Sequence, residues 1–433
     1  MTREPTPLAG ERALVVGVGW SSLAVARFLG ERGVRLRACD VRPAERLGTL
    51  LARLPPETET VLGGYDERVL DGCSAVYPSP AVPWDADLLR AARARGLVVS
   101  SEMDLFFQQC PAPIVGITGT NGKTTTTSLV GDVLARGDRP VMVGGNIGET
   151  VLDRLAEVTA EHWVVLELSS FQLESCSNPR ARVGVVLNVT PDHLDRHHTM
   201  DAYVAAKARL VRCLEPTGDA VLNGLDPICR ELAGQTRAPV TWFDRHRPPP
   251  PMPIPGTHNQ LNGLAAAAVG RIAGLPDEAI EGAIRSFSGV EHRLELVGEW
   301  GGVRWYNDSK ATNPDAGLVA LQSFHDQPVV LIAGGQGGGF ELDEWTQAVR
   351  ARTRAAVLLG ASTDLLTERL AGHPLRRASS MEEAVELAAG LSRPGDVVLL
   401  SPAHKSYDMF SGYEERGRRF KAAVAAHHGA PKS

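Results

Sequence analysis

Gly116-Ile117-Thr118-Gly119-Thr120-Asn121-Gly122-Lys123-Thr124 follows an apolar run beginning at residue 112 and leads into a helical pattern that reaches about residue 136. Strand, glycine-rich turn and helix in that order aim backbone amides and a helix amino terminus at an anion. Lys123 can then reach β- and γ-phosphates, and the Thr124 hydroxyl can face Mg2+. The loop is a variant, because the first glycine of the usual phosphate-loop pattern is absent. A turn with no phosphate to bind would not call for Lys-Thr at its end. The stretch predicts a parallel-sheet, phosphate-loop domain that uses ATP.

Outward from the loop, residues 163–168 and 183–189 read as further buried strands, and 200–214 as a helix, the alternation of an α/β domain. Glu167 ends the first strand, where either a hard cation or a salt bridge would stabilise it. Asn188-Val189-Thr190-Pro191-Asp192-His193-Leu194-Asp195 crowds two acids and a histidine at the end of the second, the edge of an open sheet where ligands bind. His193 is there a ligand or a capping and packing residue. On its own residues Lys207 reads as a helix-surface lysine.

Towards the amino terminus the same alternation appears. Residues 13–16 form a strand, Gly17-Val18-Gly19 a turn, 22–31 a helix and 35–39 a strand ending at Asp40, and 74–77 form another strand that stops at Pro78-Ser79-Pro80. Gly17-x-Gly19-x-x-Ser22 with Asp40 mimics a dinucleotide fingerprint, but serine replaces the third glycine and a dehydrogenase is disfavoured. Near residue 291 a third region begins: strand 328–333, helix 344–352, strand 355–359, helix 381–389 and strand 396–400. The run Pro248-Pro249-Pro250-Pro251-Met252-Pro253 cannot be a central strand or a helix interior and is expected to be a surface connection. Neither an internal repeat nor a nucleophile elbow is present. Three domains, 1–101, 102–289 and 290–433, are expected, the outer two Rossmann-like.

Composition fits. An apolar share of 43% and a charged share of 22% describe a globular chain, and a net charge of −6 offers no basic field for nucleic acid. The six cysteines are scattered without a C-x-x-C pair, which predicts reduced thiols and no structural zinc. Nothing resembles a signal peptide or a span of about 18 apolar residues, so a cytoplasmic protein without a membrane partner is expected.

Several separated segments, taken in order, carry a family resemblance: 116–125, 167–172, 188–195, Ala205-Ala206-Lys207, Gly256-Thr257-His258-Asn259-Gln260-Leu261-Asn262, His292-Arg293, Asn307-Asp308-Ser309-Lys310-Ala311-Thr312-Asn313 and 408–417. Over nearly its whole length the chain resembles the Mur ligase superfamily, most closely the branch that adds glutamate to a uridine-nucleotide precursor of peptidoglycan. The resemblance implies UDP-N-acetylmuramoyl-L-alanine and glutamate as substrates, ATP and two magnesium ions; a monomer is the default expectation. It implies that Gly119, Thr120, Asn121, Gly122, Lys123, Thr124 and Thr125 hold ATP phosphates, and that Asn259, Asn262, His292, Arg293, Asp308 and Lys310 frame the nucleotide. Thr124, Glu167, His193 and Lys207 would hold magnesium, Lys207 as a CO2-derived carbamate, and Lys123, Lys207, His193, Asp308 and Lys310 would be the catalytic set. Gly19, Trp20, Ser21, Asp40, Arg42, Ala81 and Asn146 would surround the uridine nucleotide, and domain closure around ATP is expected.

One departure stands out. A lysine usual to this branch is missing from Gly334-Gly335-Gln336-Gly337-Gly338-Gly339-Phe340, while His404-Lys405 replace small residues. Lys405 is therefore expected to meet glutamate along with Thr312, Ser406 and Tyr413, or else simply to face solvent. D-glutamate leads and L-glutamate is the alternative. A folylpolyglutamate synthase would lack the leading nucleotide domain, and an inactive regulatory relative would not keep Lys123, Glu167, His193, Lys207, Asp308 and Lys310.

Overall fold

Apolar β-branched runs bounded by glycine and proline make three sheets. In a computed structural model, which describes residues 9–146, 150–244, 252–254, 256–324, 327–337 and 342–429 apart from the side chains of Asp195 and Asp315, each of the three expected regions carries one. The prolines at 248–251, the turn residues Gly338, Gly339 and Phe340, and the carboxylate of Asp195 lie outside the described residues.

The first sheet is parallel, in the order Glu59–Leu62, Arg35–Asp40, Arg12–Val16, Ala75–Pro78, Val98–Val99. Strand order reverses beside Arg12–Val16, which opens a crevice at the carboxyl edge. The first helix begins at Trp20, two residues earlier than expected. Ser22 is inside it, and its hydroxyl donates to the Gly17 carbonyl at 2.5 Å, closing the turn from within.

The second sheet is also parallel, in the order Val240–Phe243, Asp219–Asn223, Val183–Val186, Ile114–Thr118, Trp163–Glu167, Val141–Gly145. Ile114–Thr118 lies near its middle, buried along its length, so the loop at its end starts from a rigid base. The strand expected to reach 189 ends at Val186. Asn188 then turns to the phosphate loop, accepting the Thr120 N–H on its carbonyl at 2.9 Å.

The third sheet runs Glu295–Trp300, Val303–Asn307, Val397–Leu400, Val329–Ala333, Thr353–Leu358, Leu375–Arg377, with only the first pair antiparallel. The chain forms two compact units, Met1–Pro249 with Leu261–Ala283, and Pro250–Gln260 with Ile284–Ser433. Among the described residues no helix is long and apolar enough to cross a membrane, and the six cysteines are free thiols.

Candidate active site

In the first unit the phosphate loop is stitched to the next strand end. Asn188 Oδ1 accepts the Asn121 N–H at 2.9 Å and its Nδ2 donates to the Asn121 carbonyl at 3.1 Å. Gly122, at φ 82°, caps the helix Lys123–Leu134 in left-handed backbone, and a Cβ there would stand 2.6 Å from Asn262 Oδ1. The left-handed backbone is what calls for glycine, and a Cβ would in addition push the end of the Asn262 side chain aside. Thr124 and Thr125 are buried in the first turn of that helix.

Two ammonium groups converge on one carbonyl. Lys123 Nζ donates to Gly119 O at 3.0 Å and to Thr120 O at 2.8 Å, and Lys207 Nζ donates to Gly119 O at 2.8 Å. Lys207 is 1% exposed, which corrects the surface position that its residues alone suggested. Its helix, Met200–Arg212, turns that face onto the loop. Burial, with Lys123 adding repulsion, pulls the Lys207 amine down to about 7.

Glu167 is 2% exposed at the end of its strand. Its Oε1 accepts from Asn146 Nδ2 at 3.1 Å, while Oε2 has no hydrogen-bond partner among the described residues. A buried carboxylate oxygen without a donor is costly unless something absent from the chain meets it. That disfavours the salt-bridge alternative. His193 takes left-handed backbone at φ 53° and sets its ring 4.9 Å from that of Phe171. Among the described residues no three His, Cys, Asp or Glu side chains form a ready cage for a metal.

At the crevice of the first sheet Asp40 accepts from the Val18 amide at 2.7 Å, the Arg42 amide at 2.8 Å and the Arg42 guanidinium at 2.9 and 2.7 Å. Burial raises this carboxyl, but those donors outweigh it and hold it below its ordinary value. Asp40 is thereby spent on shaping the Gly17–Gly19 turn, which speaks against its serving a dinucleotide ribose. Trp20 is exposed beneath Arg53, whose guanidinium lies 4.7 Å from its ring centre. Ser21 follows in the first turn of the helix, and Ala81 lies at the facing turn, where its N–H reaches Ser79 Oγ at 3.4 Å.

The second unit gathers a buried polar cluster. Asp308, 5% exposed, accepts from Ser401 Oγ at 2.8 Å and the Leu294 N–H at 3.2 Å. Burial pushes its carboxyl up to about 7 against the opposing pull of Ser401 and Arg293. His292 stands at φ 65°, with Nδ1 2.9 Å from Asn307 Nδ2, and a Cβ on Gly417 would fall 2.2 Å from that Nδ1. Lys310 lies 5.6 Å from the Tyr413 ring centre. Asn259 is buried, Ser406 is buried, and Thr312 and Arg293 are partly exposed. Lys405 is exposed, yet its carbonyl accepts the Gln336 N–H at 2.8 Å, in an antiparallel bridge to the turn that lacks the usual lysine.

Arg416 lies outside the set of residues that the sequence points to. It is 1% exposed and donates to Ser309 Oγ at 3.0 Å, Ser309 O at 2.8 Å and His404 O at 3.0 Å. Burial draws it down to about 10. Its only sequence signal is its place within the matched segment 408–417.

Family models match three consecutive stretches: Mur ligase MurD-like, N-terminal domain, at 11–101, Mur ligase middle domain at 117–249, and Mur ligase, glutamate ligase domain, at 292–404. The chain is 40% identical to a UDP-N-acetylmuramoylalanine--D-glutamate ligase of Symbiobacterium thermophilum, over 96% of this chain and 98% of that one. It is 42% identical to a protein of the same name from Solibacter usitatus, over 96% and 98%. Its fold is similar to UDP-N-acetylmuramate-alanine ligase MurC of Thermotoga maritima, with a TM-score of 0.58 at 19% identity over 96% and 99% of the two chains. It is also similar to MurF of Acinetobacter baumannii, with a TM-score of 0.59 at 18% identity over 97% and 91%.

Proposed function

The chain belongs to the Mur ligase family, and from that membership we propose that it joins D-glutamate to UDP-N-acetylmuramoyl-L-alanine at the expense of ATP. The observation that carries the chemistry is the phosphate loop with Lys123 and buried Lys207 on Gly119, in the same unit as a buried Glu167 oxygen that no donor among the described residues meets. The choice of amino acid is supported by the names of the two relatives.

In this reading the acceptor carboxylate attacks the γ-phosphorus, the bond to the β-γ bridging oxygen breaks, and an acyl phosphate and ADP result. The glutamate ammonium loses one proton, the free amine adds to the acyl carbon, and the tetrahedral adduct expels phosphate, which carries off the second nitrogen proton to leave the amide. No protein nucleophile is needed. Loop amides and Lys123 hold the phosphate oxygens in line, and catalysis is positioning and charge neutralisation. Lys123 must leave the Gly119 and Thr120 carbonyls to do so. Asn259, Asn262, His292, Arg293, Asp308 and Lys310 would frame the nucleotide, and the Gly17–Gly19 turn with Trp20, Ser21, Asp40, Arg42, Ala81 and Asn146 would hold the uridine diphosphate. Thr312, Ser406, Tyr413 and Lys405 would meet glutamate, Lys405 supplying the cation missing from the Gly334–Gly337 turn.

Magnesium fits these residues. Thr124, Glu167, His193 and Lys207 would hold it, Lys207 as a carbamate, and bound magnesium would neutralise charge on the transferring phosphoryl group. A buried amine near neutrality offers CO2 its reactive form, and the resulting carbamate turns repulsion from Lys123 into attraction. The division at 1–101, 102–289 and 290–433, a cytoplasmic location and a monomer complete the proposal.

The test is phosphate release from ATP with Mg2+ and UDP-N-acetylmuramoyl-L-alanine, with D- or L-glutamate supplied separately. Release with D-glutamate alone is expected. Release with L-glutamate alone would overturn the assigned hand, and release with neither would overturn the ligase.

A further inference from the structure

The four-residue helix Leu194–His197 sits between two non-glycine residues in positive-φ backbone, His193 at 53° and His198 at 65°. A Cβ disfavours both, so contacts elsewhere must hold the segment. His197 provides them. It is 4% exposed, its Nε2 lies 2.9 Å from Ser170 Oγ, and its ring stacks on Phe171 at 5.2 Å with 13° between planes. Phe171 in turn meets the His193 ring, and Arg196 covers it at 4.5 Å.

His197 also touches the phosphate-loop side. Its ring lies 5.3 Å from that of Tyr203, whose hydroxyl is 3.1 Å from Thr120 Oγ1. Thr120 Oγ1 donates to the Thr190 carbonyl and accepts the Thr190 N–H, each at 3.0 Å. Ser170 opens the helix just after Glu167 and Leu168. One buried imidazole thus joins the segment after Glu167, the support beneath His193 and the phosphate loop.

We infer that His197 is a positioning residue: through Phe171 it fixes where the His193 ring points, and through Tyr203 it fixes that ring relative to the phosphate loop. The inference rests on the ligase reading, in which His193 faces magnesium. An apolar residue of similar size would fill the volume but could not bond Ser170. The flat stack on Phe171 is the contact that reaches His193, so an aromatic replacement should retain much of the effect.

The experiment uses full-length His197→Ala, His197→Phe and His197→Asn. It measures Mn2+ affinity of the complex with a non-hydrolysable ATP analogue by electron paramagnetic resonance, and separately kcat, the Mg2+ requirement and each substrate KM. Loss of an outer support typically weakens metal binding about 10- to 100-fold. That loss is expected for His197→Ala and His197→Asn with the uridine-nucleotide KM unchanged, and His197→Phe should recover most of the affinity. Wild-type Mn2+ affinity in folded His197→Ala, or in His197→Asn should the alanine variant not fold, would overturn the inference. So would equal losses in all three variants that track a lowered melting temperature, which would mark a mere core filler. Wild-type failure to release phosphate would defeat the ligase reading, whereas the Mn2+ affinities would still judge His197.

Discussion

Glu102 opens the helix Glu102–Gln109 at a place that hosts a charge poorly. It is 7% exposed, and its Oε1 takes the Leu152 N–H at 3.1 Å. Burial pushes the carboxyl up from 4.5 to about 7, with the Leu152 amide pulling the other way. The folded chain therefore keeps a proton that the unfolded chain has already released between about pH 4.5 and 7. Below that window the group costs nothing. Through it stability falls as pH rises, and above it the full loss remains. At about 1.4 kcal/mol per pH unit, a gap from 4.5 to about 7 is worth roughly 3 kcal/mol. Glu102→Gln keeps an oxygen for Leu152 and removes the ionisation. Calorimetric melting of both proteins at pH 4, 6 and 8, following the transition of the first unit, should show them alike at pH 4. The variant should be higher by several degrees at pH 8. A wild-type pH slope in Glu102→Gln would refute the assignment.

Gly122→Ala forces a side chain into left-handed backbone, at about 1–2 kcal/mol, and against Asn262 Oδ1; ATP affinity by calorimetry should fall at least tenfold, and unchanged affinity would remove Gly122 from the loop's required geometry. Lys207→Arg keeps a cation but no amine that can add CO2. Its kcat should fall about 100-fold or more and bicarbonate should not restore it, while intact-mass measurement finds a CO2 adduct on the wild type alone. Wild-type turnover by Lys207→Arg would eliminate the carbamate. Lys405→Ala should raise the glutamate KM roughly 10- to 100-fold, as for loss of one charge-assisted hydrogen bond, with the ATP KM unmoved; an unaltered glutamate KM would leave Lys405 as an ordinary surface lysine.

The strands that read clearly were those buried on both faces, such as Ile114–Thr118 and Val329–Ala333, because continuous apolar runs between glycine and proline admit few alternatives. Short or edge strands went unread. Glu59–Leu62, Asp219–Asn223, Val240–Phe243 and Glu295–Trp300 mix polar and apolar residues, and they become strands because a neighbour pairs with them. Local propensity does not contain that neighbour. Arg416 escaped for a similar reason: a helix rich in Glu and Arg looks solvated until its packing partner is known.

By itself the sequence determined that this is an α/β chain with a phosphate loop, and, through ordered motifs, which family it belongs to. Those properties rest on local chemistry: glycines at turns, Lys-Thr at a helix start, and acids at strand ends. Only the tertiary structure decided that Lys207 is buried against Gly119, that Glu167 keeps one oxygen without a donor among the described residues, that Asp40 binds its own turn, and that the His197 ring stacks on the Phe171 ring that His193 also meets. Each depends on residues distant along the chain meeting in space. Burial and unpaired polar atoms are properties of that meeting and not of any one segment.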